Sequence, residues 1–239
     1  KNENIMTKLL QNILILSLLS GTAFASSPCY PEVSPQDKNY IIGYGSLMQK
    51  ESRKSTNPNA KNVYPIEVKG FKRVWGINGG NYRATFLTLI KDKEKSLNAV
   101  YYPIAGSDIL EIDKREMGYC RVMVPENDIE PLGINSMPDG KYWVYAQKDS
   151  KIDLPNQEHP IAQSYVDIFL DGCIQVGTTY NLPDFLDKCI SQTYEWPTEN
   201  NTWVNDRLFP RRPFRTPNAF MIDDTLSKIF DNYYQHPVN

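Results

Sequence analysis

Hydrophobic and polar positions in the first half of the chain alternate in short runs that turn residues separate. Apolar and β-branched residues are concentrated at 39–43, 63–77, 82–90 and 97–104, and Gly79-Gly80-Asn81 lies between the second and third runs. Runs of this length predict strands, and the two glycines indicate a hairpin. The charged segment 91–95 predicts a turn between the third and fourth strands. Several strands before any long helix favour a curved sheet or a small barrel over a βαβ repeat.

The period of the apolar positions then changes from two to about 3.6, which is typical of a helix. Residues 107–117 predict a short helix, with Ser107 as its N-cap and Gly118 just beyond its end. Two more strands are predicted after this helix, at 119–124 and 142–146.

The second half of the chain is predicted to be mostly helical. One helix is expected to begin at Pro160 and to stop at Gly177, because proline suits the first helical position and glycine suits the residue after the last turn. Further helices are predicted at 181–191 and 223–234. The segment 193–217 has no period, so it is expected to be an ordered arm or a loose extension.

One long apolar run occupies residues 9–25, follows Lys8 and ends in Ala23-Phe24-Ala25. A charged start, a short apolar stretch and small residues before the break predict a signal peptide at 1–25, cleaved after Ala25. An ordinary N-terminal helix is the alternative. No other stretch is long enough to span a bilayer. The protein is therefore expected to be exported, to the periplasm or outside the cell, and to leave no membrane segment after cleavage.

The expected organisation is a signal peptide at 1–25, an N-terminal segment at 26–38, one domain at 39–192, and a C-terminal arm and helix at 193–239 that pack on the domain. The fold class is α+β, a small mixed β-barrel with flanking helices and a C-terminal extension. With 239 residues and 41% hydrophobic positions, the chain can bury one sizeable core. The oligomeric state is left open by the sequence.

Composition limits the classes of partner and cofactor. The formal net charge is −2, which gives no bulk field to hold nucleic acid or an anionic membrane. Two histidines leave little room for a histidine-built metal site or proton relay. We therefore predict no nucleic-acid partner and no metal site built from histidines.

The chain has four cysteines, at positions 29, 120, 173 and 189. In an exported protein an even count permits two disulfides, in any of three connectivities. No C-x-x-C spacing is present, which argues against a zinc site and against a thioredoxin-type redox pair. Cys173 and Cys189 fit buried apolar positions as well as a bridge. Thiol chemistry at Cys120 is a minor alternative, because no histidine lies near it in sequence.

Glu116 is the most informative acidic residue. It follows Ile109 by seven residues and Ile112 by four, so helical spacing places all three side chains on one inward face. An apolar environment disfavours the charged carboxylate and raises its pKa toward the range of a general acid or base. The alternative is a glutamate at the core margin that pairs with a nearby lysine or arginine.

A second candidate feature is the loop Tyr44-Gly45-Ser46-Leu47, which follows the first strand. Glycines on both sides of Tyr44 let the backbone turn so that several N–H groups face one concavity, which suits a carboxylate or a developing oxyanion. The loop is neither a Walker motif nor a nucleophile elbow. Taken alone, it fits an ordinary strand-to-loop turn equally well.

Together these motifs resemble the gamma-glutamylcyclotransferase superfamily, with its ChaC-like and AIG2-like branches. The resemblance rests on Tyr-Gly-Ser-Leu at 44–47, on the segment 68–73, and on Arg115-Glu116-x-x-Tyr119, in that order, and it covers residues 40–176. It implies a compact mixed β-barrel with flanking helices and no cofactor. The activity that it implies is release of 5-oxoproline from a γ-glutamyl amine or peptide.

The resemblance also implies roles for particular residues. It assigns the backbone of Tyr44, Gly45, Ser46 and Leu47 to the γ-glutamyl group, Glu116 to acid/base catalysis, and Tyr119 to an aromatic wall beside it. Intramolecular attack needs positioning more than it needs a protein nucleophile, so a loop of donors and one acid are sufficient.

Two features leave alternatives open. The best-known members of the superfamily act on cytosolic substrates, whereas this chain is expected to be exported. The physiological substrate is therefore left open. The second hypothesis is a catalytically silent module that binds a γ-glutamyl or other acidic ligand, or a partner protein. The arm places arginines among aromatic residues between 196 and 215, and these are expected to strap it to the domain or, as the alternative, to line the rim of the site.

Overall fold

The computed structural model describes residues 29–116, 118–147, 152–197, 202–231 and 233. The predicted signal peptide at 1–25 lies outside the described residues, as does Met117.

Nine strands and five α-helices are assigned among the described residues. The strands are β1 (Asn39–Gly43), β2 (Tyr64–Gly79), β3 (Ala84–Ile104), β4 (Cys120–Val124), β5 (Ile129–Pro131), β6 (Lys141–Ala146), β7 (Ile161–Ala162), β8 (Thr193–Tyr194) and β9 (Trp203–Val204). The helices are α1 (Lys50–Thr56), α2 (Gly106–Arg115), α3 (Gln163–Tyr180), α4 (Phe185–Ser191) and α5 (Ala219–Ile229). Short 3-10 turns lie at Ser46–Met48, Gly80–Tyr82 and Glu126–Asp128.

Seven of the strands form one mixed sheet. The order is β4-β6-β1-β3-β2-β5, and β8 pairs with β2 in parallel. The β1–β6 pair is also parallel, whereas the other pairs on the main path are antiparallel. The α+β class is confirmed, with one difference: the sheet curls into a half-barrel, and β4 and β5 at its ends do not pair with each other in the described part of the chain.

The long β2–β3 hairpin is the largest element of the sheet. β1 has the predicted bounds, and Gly79 and Gly80 do connect β2 to β3 as predicted. The turn predicted at 91–95 is wrong, because β3 continues through it. The pairing shifts instead, from Lys69 opposite Ser96 to Phe71 opposite Lys91, so the charged residues between form an irregular exposed stretch of one strand.

Helix α2 ends two residues earlier than the predicted limit of 117. Its last residue is Arg115, and Glu116 is the C-cap, whose amide donates to the Ile112 carbonyl at 2.8 Å. Ser107 is not the N-cap either, because Ala105 occupies that position and no side chain caps the helix. Glu116 therefore lies just beyond the helix and not on its inward face.

Helix α3 passes through the hydrophobic core and is buried along most of its length. It begins at Gln163 because Ile161 and Ala162 pair with β9, and it continues through the predicted stop at Gly177 to end before Asn181, which has φ +53°. Gly172 permits its close approach to the loop after β1. A Cβ on Gly172 would lie 2.5 Å from the Gln49 amide nitrogen, so any side chain there would force the helix and the loop apart.

The C-terminal arm is strapped to the domain by acid–base contacts. Asp206 accepts hydrogen bonds from the amide and hydroxyl of Ser164 at 2.7 Å, in the first turn of α3. Arg207 pairs with Asp167 on α3 and with Asp223 on α5, at 2.7 and 2.8 Å. These contacts hold the arm and α5 against α3, as the strapping hypothesis predicts.

Two disulfide bonds use all four cysteines. Cys29 pairs with Cys120 and Cys173 pairs with Cys189, which selects one of the three possible connectivities. The first bond attaches the N-terminal segment to β4, and the second joins α3 to α4. Cys120 therefore carries no free thiol, and thiol catalysis at this residue is excluded.

Among the described residues, every helix is too short or too polar to cross a membrane.

A buried ion pair lies beneath the α2–β4 junction. Arg121 donates to both oxygens of Asp113, at 2.9 and 3.3 Å, and only 1% of its side chain is exposed. The Tyr145 hydroxyl donates to Asp113 at 2.7 Å, and the guanidinium lies 4.5 Å from the centre of the Trp143 ring. The residues just before and after Glu116 are thereby fixed to the sheet.

We predict that Asp113→Ala lowers the free energy of unfolding by about 3 kcal/mol, because it leaves the Arg121 charge buried without its partner. Urea denaturation measures this change. The matched control is Glu111→Ala, on the same helix, which removes an exposed ion pair with Lys114 and is expected to change stability by less than about 0.5 kcal/mol. Equal changes in the free energy of unfolding for the two substitutions would show that the buried ion pair stabilises the fold no more than the exposed one does.

Candidate active site

Glu116 is held by its backbone at the junction between α2 and β4. Its carbonyl accepts hydrogen bonds from the Tyr30 hydroxyl at 3.1 Å and from the Tyr119 amide at 2.9 Å. The same Tyr30 hydroxyl donates to the Tyr119 carbonyl at 2.8 Å. Because the disulfide at Cys29 anchors the segment that carries Tyr30, the backbone around the acid is fixed from two directions.

The Glu116 side chain is half-buried, and burial raises the pKa of its carboxyl above the ordinary glutamate value. The positive charges of Arg115 and Arg212 act in the opposite direction but do not cancel this effect. A carboxyl with a raised pKa can accept and return a proton nearer to neutral pH than an exposed one can.

Three tyrosines surround the carboxylate. The charge of Glu116 contributes to the raised pKa values of Tyr44, Tyr119 and Tyr165, although burial is the main cause for each of these phenols. The Tyr44 hydroxyl donates to the Tyr145 carbonyl at 2.8 Å, and the Tyr119 hydroxyl donates to the Leu87 carbonyl at 3.2 Å. Both rings are therefore fixed in place as walls of the site.

Tyr165 reaches the loop after β1 from helix α3. A Cβ on Gly45 would lie 3.0 Å from the Tyr165 hydroxyl, so glycine is the residue that permits this approach. Hydrogen bonds from the side chain and backbone of Ser46 to the Tyr165 phenol partly offset the rise in its pKa. Tyr165 thus joins the loop to the face of α3 that lies near Glu116.

The backbone groups of the Tyr44–Leu47 loop differ in whether they have hydrogen-bond partners. The Gly45 and Ser46 carbonyls accept from the amides of Met48 and Gln49 at 3.0 and 3.2 Å. The amide of Gly45, a buried residue, donates to no other group within the described residues. A buried donor without a partner is costly, and it is available to a substrate oxygen.

A fully buried arginine fixes the loop from below. Arg73, on β2, donates to the Tyr44 carbonyl at 3.1 Å and to the Asn98 carbonyl at 2.9 Å through the same nitrogen. Burial lowers the pKa of Arg73 to about 9, so the guanidinium stays charged at neutral pH. The carbonyl of Tyr44 is thereby held toward the sheet.

The C-terminal arm contributes Arg212 to the site. Its guanidinium lies 5.4 and 6.0 Å from the ring centres of Tyr82 and Phe86, and Phe86 packs edge-on against Tyr165 at 4.8 Å. Its charge lowers the pKa of Glu116 and opposes the rise at Tyr165. In the described residues Arg212 forms no ion pair, so the arm carries a free cation beside the site as well as strapping contacts.

The structure brings together most of the residues that the sequence suggests, namely Glu116, Tyr119, Tyr44, Gly45 and Ser46. The resemblance assigns only the backbone of Leu47 to the site, and its side chain packs against the cluster around Ile41 and Tyr102. Only its backbone can take part in the site.

Sequence reasoning missed Tyr165, Arg73 and Arg212 as residues of the site. Tyr165 has the helical spacing of a core residue. Arg73 ends the segment 68–73 on which the resemblance partly rests, but nothing in the strand marks its side chain as buried. The signal for Arg212 in the sequence is the mixture of arginines and aromatic residues in the arm, which does not single out one arginine.

Within the described parts of the chain, no group of three or more histidine, cysteine, aspartate or glutamate side chains is arranged to hold a metal ion. The groups described around Glu116 are its carboxyl, the guanidinium groups of Arg115 and Arg212, phenols and backbone groups.

The fold of the chain is similar to those of several solved structures. A gamma-glutamyl cyclotransferase is similar to the chain with a TM-score of 0.52 and 14% identity, over 80% of this chain and 99% of that one. The human protein loc79017 has a TM-score of 0.49 and 15% identity, over 69% and 94% of the two chains. A yeast gamma-glutamyl cyclotransferase specific to glutathione has a TM-score of 0.38 and 14% identity, over 81% and 97%.

No family model matches the sequence, and no curated protein matches it either. The likeness in structure covers almost the whole of the first cyclotransferase and agrees with the motifs at 44–47 and 115–119. The chain therefore has the fold of the gamma-glutamylcyclotransferase superfamily.

Proposed function

We propose that the protein converts the γ-glutamyl group of an amine or peptide to 5-oxoproline and releases the amine or peptide, with Glu116 as the general acid and base. The observation that carries the proposal is the position of Glu116. It is a half-buried carboxyl of raised pKa, among tyrosines that contact the Tyr44–Leu47 loop.

The proposed reaction needs one proton carrier and good positioning. The α-amino nitrogen of the substrate attacks its own γ-carbonyl carbon, a ring C–N bond forms, and the C–N bond to the leaving amine breaks. An α-ammonium group keeps one of its three hydrogens in the ring amide, and the other two protons end on the leaving nitrogen. Glu116 takes each proton from one nitrogen and returns it to the other, so the carboxyl ends as it began.

The surrounding groups fit the other requirements of this reaction. The unpaired Gly45 amide is a donor for the γ-carbonyl oxygen, on which negative charge develops during attack. Arg212 has no carboxylate partner among the described residues, and we assign it to the α-carboxylate of the γ-glutamyl group. The Gly45 amide has no hydrogen-bond acceptor and Arg212 has no ion-pair partner within the described residues, so both are available to a substrate.

We predict that Glu116→Gln lowers kcat/KM for 5-oxoproline release by at least about 100-fold, because glutamine cannot carry the proton. The assay uses purified protein and a panel of γ-glutamyl dipeptides, glutathione and γ-glutamyl-lysine. Glutamine preserves size and polarity, so the unfolding temperature should change by no more than about 2 °C.

The matched control for this substitution is Glu111→Gln, which changes an exposed carboxylate on α2 and should leave turnover unchanged. Retention of activity in Glu116→Gln would overturn the assignment. Saturable binding of panel members without turnover by the unmodified protein would favour the silent binding module instead.

We predict that Arg212→Met moves the acid limb of the pH profile of kcat/KM to higher pH. Activity requires the Glu116 carboxylate, so it falls as the pH drops through the raised pKa of that group. The charge of Arg212 lowers this pKa, and removing the charge must raise it further. The same variant should raise KM for γ-glutamyl substrates, because it removes the proposed partner of their carboxylate.

The neighbouring Arg211 gives a matched control for the pH experiment. The Arg211 side chain donates to the Arg83 carbonyl at 2.7 Å, and its charge is not among those that shift the pKa of Glu116. Arg211→Met therefore removes one positive charge from the arm without changing the group that acts on Glu116. The acid limb should stay in place in this variant. An unchanged limb in Arg212→Met would mean that a group other than Glu116 sets it.

We also propose that the protein is exported. The two disulfide bonds support this proposal, because such bonds persist in oxidising compartments and are rare in the cytosol. Expression of the chain with residues 1–25 should yield protein outside the cytoplasm, with Ser26 as its N-terminus by protein sequencing. Leu16→Arg, which interrupts the apolar run, should retain the protein in the cytoplasm. Uncleaved cytosolic protein from the unmodified chain would contradict the proposal.

A further inference from the structure

A cavity of about 610 Å³ is lined by Met48, by residues of α1 and α3 and by the start of β2, and Glu116 is not among its lining residues. Its lining residues include three cations, Lys50, Arg53 and Lys61, and no aspartate or glutamate. None of the tyrosines around Glu116 lines this cavity. Its volume falls within the range of about 300–1,000 Å³ that is typical of small-molecule sites.

Arg53 is the unusual member of this lining. It lies on α1, only 4% of the residue is exposed, and no carboxylate within the described residues forms an ion pair with it. Its Nη1 atom donates to the carbonyls of Leu47 and Met48, both at 2.9 Å. Its Nε atom is buried without a hydrogen-bond partner. A buried cation with an unused donor is costly unless a ligand supplies the missing acceptor.

The carboxylates near this cavity do not neutralise Arg53. Glu51 acts on its charge but is exposed on α1 and forms no ion pair with it. Asp171 is buried on α3, and its oxygens accept hydrogen bonds from the side-chain amides of Gln49, Gln175 and Asn218, at 2.8–2.9 Å. Within the described residues neither carboxylate forms an ion pair with Lys50, Arg53 or Lys61, so these cations can pair with a bound anion.

The remaining wall of the cavity has a polar part, formed by Asn62, Gln175, Thr178, Thr179 and Asn218, and an apolar part. Met48, Val63, Ile174 and Val176 contribute side chains to the apolar part, and Tyr64 and Tyr180 contribute rings. A bare inorganic ion would leave this surface in contact with water. A ligand with an apolar body covers the wall and presents its charge to the cations at the same time.

We propose that this cavity binds a small organic anion, a carboxylate or phosphate carried on an apolar body, with Arg53 as the buried anchor and Lys50 and Lys61 beside it. One of the two carbonyls that Arg53 binds belongs to Leu47 of the Tyr44–Leu47 loop, and the other belongs to Met48, the next residue. An anion that fixes the guanidinium therefore also fixes Leu47 and Met48. Occupancy of the cavity is thereby coupled to the rigidity of the loop.

Isothermal titration calorimetry of the purified full chain tests binding, with phenyl phosphate and phenylacetate as probes. We expect saturable binding of one molecule per chain for at least one probe, which identifies the preferred head group. Inorganic phosphate and benzyl alcohol, which carry only the charge or only the apolar body, should bind at least about tenfold more weakly. Failure of both anionic probes to bind, or equal binding of inorganic phosphate, overturns the proposal.

Substitutions locate the binding site. Lys61→Ala should weaken binding by roughly three- to tenfold, and Arg53→Lys, which keeps the charge but loses the forked donors, by at least about tenfold. The matched control is Lys54→Ala, an exposed lysine of α1 outside the cavity, which should bind normally. Arg212→Met should also bind normally, which separates this cavity from the Glu116 site. Equal affinities of the Lys61 and Lys54 variants overturn the assignment, even if Arg53→Lys does not fold.

Hydrogen–deuterium exchange tests the coupling. Saturation with the tighter probe should slow exchange of the amides at 44–49 in the unmodified protein, and unchanged exchange there overturns the coupling. None of these measurements uses turnover, so their outcome does not depend on the reaction proposed for Glu116.

Discussion

The architecture depends on one buried guanidinium. Each of the five N–H bonds of Arg73 has an acceptor: the carbonyls of Tyr44 and Cys189, the hydroxyl of Thr193, and both the carbonyl and the side-chain oxygen of Asn98. A buried ion is tolerated only when its donors are satisfied, and here the acceptors come from the loop, β3, α4 and β8. The segments that form the site must therefore assemble together, because each supplies an acceptor that the same cation requires.

The arm adds a second layer to this assembly. Asp206 and Arg207 attach it to α3, and the attachment brings Arg212 to the rings of Tyr82 and Phe86 beside the site. Strapping and site formation are therefore one arrangement and not two competing roles. Arg207 is paired with Asp167 and Asp223, whereas Arg212 forms no ion pair within the described residues, and its charge lowers the pKa of Glu116.

Patterns in the sequence correctly predicted those features that depend on interactions between residues close together in the chain. The bounds of β1, the glycine connection between β2 and β3, and the proximity of Glu116 and Tyr119 all follow from spacing and turn chemistry. The predicted end of α3 at Gly177 was wrong. Packing of a buried helix can favour its continuation through a glycine, and it then overrides the low helix propensity of that residue. Arg73 and Tyr165 could not be identified from the sequence, because their partners are distant along the chain and burial leaves no signal in a single strand or helix. Whether the sheet forms a closed barrel or a half-barrel depends on whether its two edge strands pair with each other. The alternation of apolar and polar residues along one strand does not specify that pairing.

The Cys29–Cys120 bond has a consequence for how the protein is made. It closes a loop with a sequence separation of 91 residues, and Tyr30, the neighbour of Cys29, reaches the Glu116 carbonyl across 86 positions. During synthesis the N-terminal segment emerges long before its partner strand. The backbone support of Glu116 is therefore completed only after β4 has been synthesised and an oxidant has joined the two sulfurs. Until then the nascent chain carries the acid without the support that orients it.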